Sequence, residues 1–123
     1  MFQYDIHAIL IEARRLILYP NRWTRGAFAR NSRGHEVDPK DGSAEMFDLA
    51  GAVFRAAQSN AEMILACTYI ELAISGRKIQ RLDMKTIQGF NDDPRRRHGD
   101  MLQIINDSRR LARHDGYRND GTH

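Results

Sequence analysis

Arginine is the residue type in this chain with the most chemistry to offer. Sixteen of its 19 basic residues are Arg and three are Lys (Lys40, Lys78, Lys85). A guanidinium is a rigid, planar fork of donors suited to phosphate and carboxylate. Arg95, Arg96 and Arg97 directly precede the final helical stretch. Arg109, Arg110 and Arg113 fall within about a third of that stretch's circumference, opposite its apolar stripe. Arg14 and Arg15 stand on the first helical stretch. Side by side, two such helices would present a phosphate-binding face. Asp100 and Asp107 dilute the charge, and there is no aromatic interleaving for base stacking. No recognition-helix motif is present. A solvated charged face is the simpler reading of the same residues.

Other chemistries are less well marked. Asp41, Asp48, Glu71, Asp92 and Asp93 could form a carboxylate pair for general acid–base work. Acidic residues at helix starts and in turns usually serve as caps, and that reading is favoured. His7, His35, His98, His114 and His123 make no short Cys/His pair with ligand spacing, so no metal site is expected. Cys67 stands alone in an apolar stretch and reads as a small buried hydrophobe. A single cysteine fits a reducing cytoplasm, and nothing near it in sequence supplies a base. No P-loop, G-x-S-x-G or G-x-G-x-x-G occurs. No catalytic residue and no cofactor follow from these motifs.

The elements that must position these groups can be read from apolar spacing. Ile6, Ile9, Leu10, Ala13, Leu16 and Ile17 share one face of a helix over about Tyr4 to Tyr19, which Pro20 stops. Ala27–Arg30 and His35–Val37 flank the turn-forming Asn31-Ser32-Arg33-Gly34, so a short β-hairpin is predicted there. A second helix is expected from about Ala44 to Gln58, and a third from Asn60 to Ser75. Ser59 and Glu62 form a capping box for the third helix and Gly76 ends it. Both helices are apolar over most of their circumference. They are expected to form the central antiparallel pair, and their excess apolar surface suggests a homodimer. Residues 77–98 read as a loop with a helical turn near Met84, closed by Asn91-Asp92-Asp93-Pro94 as a turn. A last helix runs from about Gly99 to His114. The prediction is a mainly α (α+β) domain of about four helices with a small hairpin between the first two. It spans 1–114, with 115–123 a flexible tail.

Composition sets outer limits. The chain has 123 residues, 41% hydrophobic and 28% charged, with a formal net charge of +3. That suits one folded domain and is not a disordered composition. No apolar run approaches the roughly 18 residues that span a bilayer, so no membrane partner is expected. No secretory signal is read at the start.

Three short pieces together carry a resemblance. They are Trp23, Gly26, Ala29 and Arg30, followed by Gly34 and Pro39; then Gly51-Ala52; then Phe90-Asn91-Asp92. The pattern resembles a small domain family of unknown function found in phages, prophages and bacteria, over roughly residues 5–113. Members often have Cys where this chain has Asp48, and Trp where it has Phe90. The resemblance implies that the hairpin, the Gly-Ala helix and the Asn-Asp turn meet in space. That would gather an aromatic ring, an Arg and a carboxylate around one patch.

The functional expectation is a non-enzymatic, cytoplasmic binding protein of phage or prophage type with an anti-defence role. It would capture an anionic, nucleotide-like ligand at Trp23, Arg25, Arg30, Asn91 and Asp92, or occlude a host defence protein. One alternative is a nucleic-acid-binding module using Arg95, Arg96, Arg97, Arg109, Arg110 and Arg113. The other is a small enzyme with Asp92 or Asp48 as acid or base.

Overall fold

The computed structural model describes residues 5–116. The predicted helix start at Tyr4 and the tail from 117 onward lie outside them. The fold is mainly helical, with five α-helices and a two-stranded antiparallel sheet.

Helix α1 (Ile6–Leu16) starts where the Asp5 carboxylate accepts the Ala8 N–H at 2.9 Å. It buries Ile6, Ile9, Leu10 and Ala13. Pro20 opens a single 3-10 turn over Pro20–Arg22. Strand β1 (Ala29–Arg30) then pairs with β2 (Met46–Phe47), Ala29 opposite Phe47 and Arg30 opposite Met46. This corrects the predicted hairpin. His35–Val37 does fold back, through Asn31 N–H to the His35 carbonyl and Val37 N–H to the Ala29 carbonyl. It forms only one bridge, Arg30 to Glu36, and the paired strand lies on the other edge. Gly34 supplies the positive φ (82°) that the turn needs.

Helix α2 (Leu49–Ala56) is shorter than the predicted Ala44–Gln58. Its N-cap is Asp48, whose Oδ1 accepts the Gly51 N–H at 2.6 Å. The cap fixes the start at Leu49 and leaves Met46–Phe47 extended for the sheet. Helix α3 (Asn60–Ser75) is capped by Ser59 and Glu62 and ends at Gly76 with φ 71°. Helix α4 (Met84–Asp92) replaces the predicted loop, so Asn91 and Asp92 end a helix instead of forming a turn. Its buried positions are Ile87 and Asn91, four residues apart. One of the two is polar, which hid the face from hydrophobic patterning. Helix α5 (His98–His114) begins where Asp100 accepts the Arg97 N–H at 2.8 Å.

Helix α1 packs against both α2 and α5, and α3 against α5 and α4. The expected central pair of α2 and α3 does not form the middle of the core. With 8 residues against 16, α2 is too short to lie along α3. Helices α1 and α5 run antiparallel. His98 meets the Ile17 carbonyl at 2.6 Å at one end, while His7 and Arg113 share a groove at the other. Leu10, Leu49, Ile70, Ile87, Met101 and Ile105 are fully buried at the centre. No described helix is long and apolar enough to cross a membrane.

Candidate functional site

Asn91 ties three segments together from the end of α4. It is fully buried. Its Oδ1 accepts the Trp23 indole N–H at 2.8 Å and the Leu49 N–H at 3.1 Å. Its Nδ2 donates to the Thr24 carbonyl and to Asp92 Oδ1, both at 3.0 Å. An amide has two acceptor sites and two donors, so the side chain is fully satisfied. The loop after α1, the start of α2 and the end of α4 are thereby fixed to one another.

Beside this hub lies a cleft of about 280 Å³ lined by Gly26, Ala27, Phe28, Glu36, Asp48, Gln88 and Asp92. Asp92 Oδ1 also accepts the Gly26 N–H at 3.0 Å, and Gly26 reaches that position with φ 77°. Asp48 is the unusual group. It is 3% exposed, and its Oδ1 is engaged as the cap of α2. Its Oδ2 has no hydrogen-bond partner among the described residues. Burial pushes its carboxyl pKa up to about 7; the Gly51 N–H opposes the rise and the charge of Asp92 adds to it. Gly51 is what lets α2 come this close. A Cβ there would sit 1.8 Å from the Phe28 carbonyl oxygen.

The sequence-selected ligand residues gather around this hub, but most are occupied by the fold. Trp23 is held by Asn91 and tilts against the His98 ring at 6.0 Å between centroids. The Arg25 guanidinium stacks over the Trp23 ring at 4.6 Å and donates to the Arg96 carbonyl. Arg30 donates to Thr24 Oγ1, the Gly34 carbonyl and the Arg25 carbonyl. Its fork of donors closes the loop and leaves little for an anion. Asn91 is internal, and Asp92 faces the cleft.

The six arginines assigned to a nucleic-acid face separate into two groups. Arg95 pairs with Asp93, Arg96 stacks over Phe90 at 4.5 Å, and Arg97 precedes α5. Arg109, Arg110 and Arg113 line a different groove near the end of α5, together with His7 and Asn106. The start and end of α5 are about 24 Å apart at 1.5 Å per residue. Sequence reasoning missed Glu36, Gln88, His7 and Asn106. Glu36 and Gln88 carried no motif. His7 and Asn106 become relevant only through the antiparallel packing of α1 on α5.

The remaining candidates are structural. Cys67 is fully buried, and its thiol is pushed up to about 12, mainly by burial and further by the charge of Asp48. It is not a nucleophile at neutral pH. Glu71 accepts the Asp83 N–H at 2.7 Å and joins α3 to the start of α4. Asp41 and Asp93 cap local turns. Among the described residues, no group of three His, Cys, Asp or Glu is placed to hold a metal ion.

No curated protein and no solved structure matches the chain. A family model does match, over residues 1–111, which include every residue of the hub, the cleft and the α5 start cluster. The chain belongs to that family, the family of unknown function DUF6197.

Proposed function

We propose that this chain is a small-ligand-binding protein whose working site is the acidic cleft. Its ligand would be a compact organic cation carrying a protonated amine or guanidine. One observation carries the reading: Asp48 is almost wholly buried, yet its Oδ2 is unpartnered at a cleft also lined by Glu36 and Asp92. An ionised buried carboxylate calls for a counter-charge. No cationic side chain among the described residues lines the cleft, so the counter-charge falls to a ligand.

A nucleotide-like anion at Trp23, Arg25 and Arg30 is supported less well. Arg30 is tied to its own loop, and the adjoining cleft is acidic. The phage or prophage setting implied by the resemblance serves here only as a place to look for the ligand. Acid–base catalysis is a second reading, favoured by Asp48 itself. A carboxyl that titrates near 7 beside a charged carboxylate suits proton transfer at neutral pH.

The test is an NMR titration with n-propylamine and n-propylguanidine at pH 6 and pH 8. Asp48, with Glu36 and Asp92 facing the same cleft and the buried Cys67 thiol close by, governs the proton dependence. Raising the pH through 7 should tighten binding about tenfold as Asp48 ionises. The amides of Gly26, Gln88 and Asp92 should shift, and Asp48→Asn should remove the pH dependence. Unmoved cleft amides at both pH values, or equal shifts with propionate, would count against the proposal.

A further inference from the structure

The groove between α1 and α5 shares no residue with the acidic cleft and has the opposite character. It encloses about 280 Å³ and is lined by His7 from α1 and by Asn106, Arg109, Arg110 and Arg113 from α5. We infer that this groove binds the phosphoryl group of a small phosphate ester.

The local charge balance argues for it. Arg110 is neutralised by Asp107, one helical turn before it. Arg109 forms no ion pair with a described residue. Its Nη1 donates to the neutral Asn106 Oδ1 at 3.0 Å, and its Nε is buried with no hydrogen-bond partner. The Arg113 side chain makes no hydrogen bond or ion pair with any described residue. Buried guanidinium donors are normally satisfied, and an unmet one carries a desolvation cost. An unmet, buried Nε donor beside an exposed guanidinium that pairs with no described residue fits an oxyanion that accepts several charge-assisted bonds. Asn106 can hold Arg109 in place without competing for its charge.

The site favours a small ester over a nucleic-acid backbone. The second arginine group, Arg95–Arg97, lies about 20 Å away at the start of α5, out of reach of a ligand seated in the groove. Arg95 is also paired with Asp93.

The experiment uses the whole chain with arginine Nε–H signals resolved by NMR. The probes are inorganic phosphate, adenosine monophosphate and a 15-nucleotide single-stranded DNA, with sodium chloride as the ionic-strength control. Phosphate and the mononucleotide should shift the Arg109 and Arg113 signals, and chloride should not. Arg113→Gln removes an exposed side chain that makes no hydrogen bond or ion pair with any described residue. It should weaken phosphate binding by about fivefold or more while the amide spectrum stays native. Unmoved Arg signals, or an Arg113→Gln variant that binds as the parent does, would overturn the inference. So would an oligonucleotide that binds a hundredfold more tightly than phosphate and loses that gain in Arg95→Gln/Arg96→Gln; that result would assign the surface to nucleic acid.

Discussion

Asn91 and Asp48 show how one side chain can set both geometry and chemistry. Both were picked out in the sequence, Asn91 for a turn and Asp48 as a cap or acid. The cap is what the structure shows, but the buried setting of each depends on packing that no local pattern reveals. Replacing Asn91 with Ala strands the Leu49 N–H and the Thr24 carbonyl and frees the Trp23 indole N–H. Such losses cost about 2–4 kcal/mol together. Trp23 is the chain's one tryptophan, so urea unfolding followed by its fluorescence should show both the lost stability and a changed native spectrum. A variant as stable as the parent would contradict the hub. Asp48 gives a pH signature. Its folded pKa, near 7, lies above its usual value, so the folded state holds the proton more tightly than the unfolded chain. The stability this contributes is complete below about pH 4 and is lost as the pH rises to 7. Asn keeps the cap and cannot ionise. Asp48→Asn should therefore match the parent at pH 4 and exceed it at pH 8, by on the order of 4 kcal/mol. Parallel stability curves for the two proteins would refute the assignment.

At the scale of elements, what could be read in the sequence followed hydrophobic spacing. Helices α1, α3 and α5 carry clear apolar stripes or strong caps; the ends of α3 and α5 fall within one residue of those predicted, whereas α1 ends at Leu16, three residues before the predicted Tyr19. Errors arose where a polar residue does a buried job. Asp48 starts α2 five residues later than the apolar run suggested, and Asn91 takes a core position of α4. Sheet pairing was also beyond local reading, because β1 takes as partner a segment 16 residues further on instead of the one across the turn. Gly51 carries the cost of that arrangement. It lets the first turn of α2 rest on the Phe28 carbonyl, which also accepts the Asp48 N–H at 3.1 Å. A methyl group there cannot be absorbed by rotating a side chain, since the obstacle is backbone. Gly51→Ala should destabilise the protein by about 3 kcal/mol or more, despite alanine's better helix propensity. Calorimetry reads this directly. A neutral or stabilising result would mean that α2 does not sit against the loop.

The whole molecule places the two proposed sites, of opposite sign, on one small scaffold. The dimer expectation rested on apolar excess in α2 and α3. Residues Leu49–Val53 of α2 are buried within a single chain, and the large exposed apolar residues, Ile11, Tyr19 and Ile64, lie on different stretches of the chain. The net charge of +3 conceals a sharper division, carboxylates at the cleft and unpaired arginines at the far end of α5. Arg25 connects the hub to the start of α5 through the Arg96 carbonyl. The basic groove is about 20 Å further along that helix. The Debye length near physiological ionic strength is about 8 Å, so direct charge coupling over that distance is largely screened. Coupling through the fold would need an element with two arrangements, and α5 is an unbroken helix of 17 residues between the sites. Two independent sites should therefore bind additively. Saturating the groove with inorganic phosphate should change the n-propylamine affinity of the cleft by less than about twofold, and the reverse experiment should give the same factor. A tenfold change in either direction would show that the two sites act as one, as they would if a single zwitterionic ligand were recognised across the molecule.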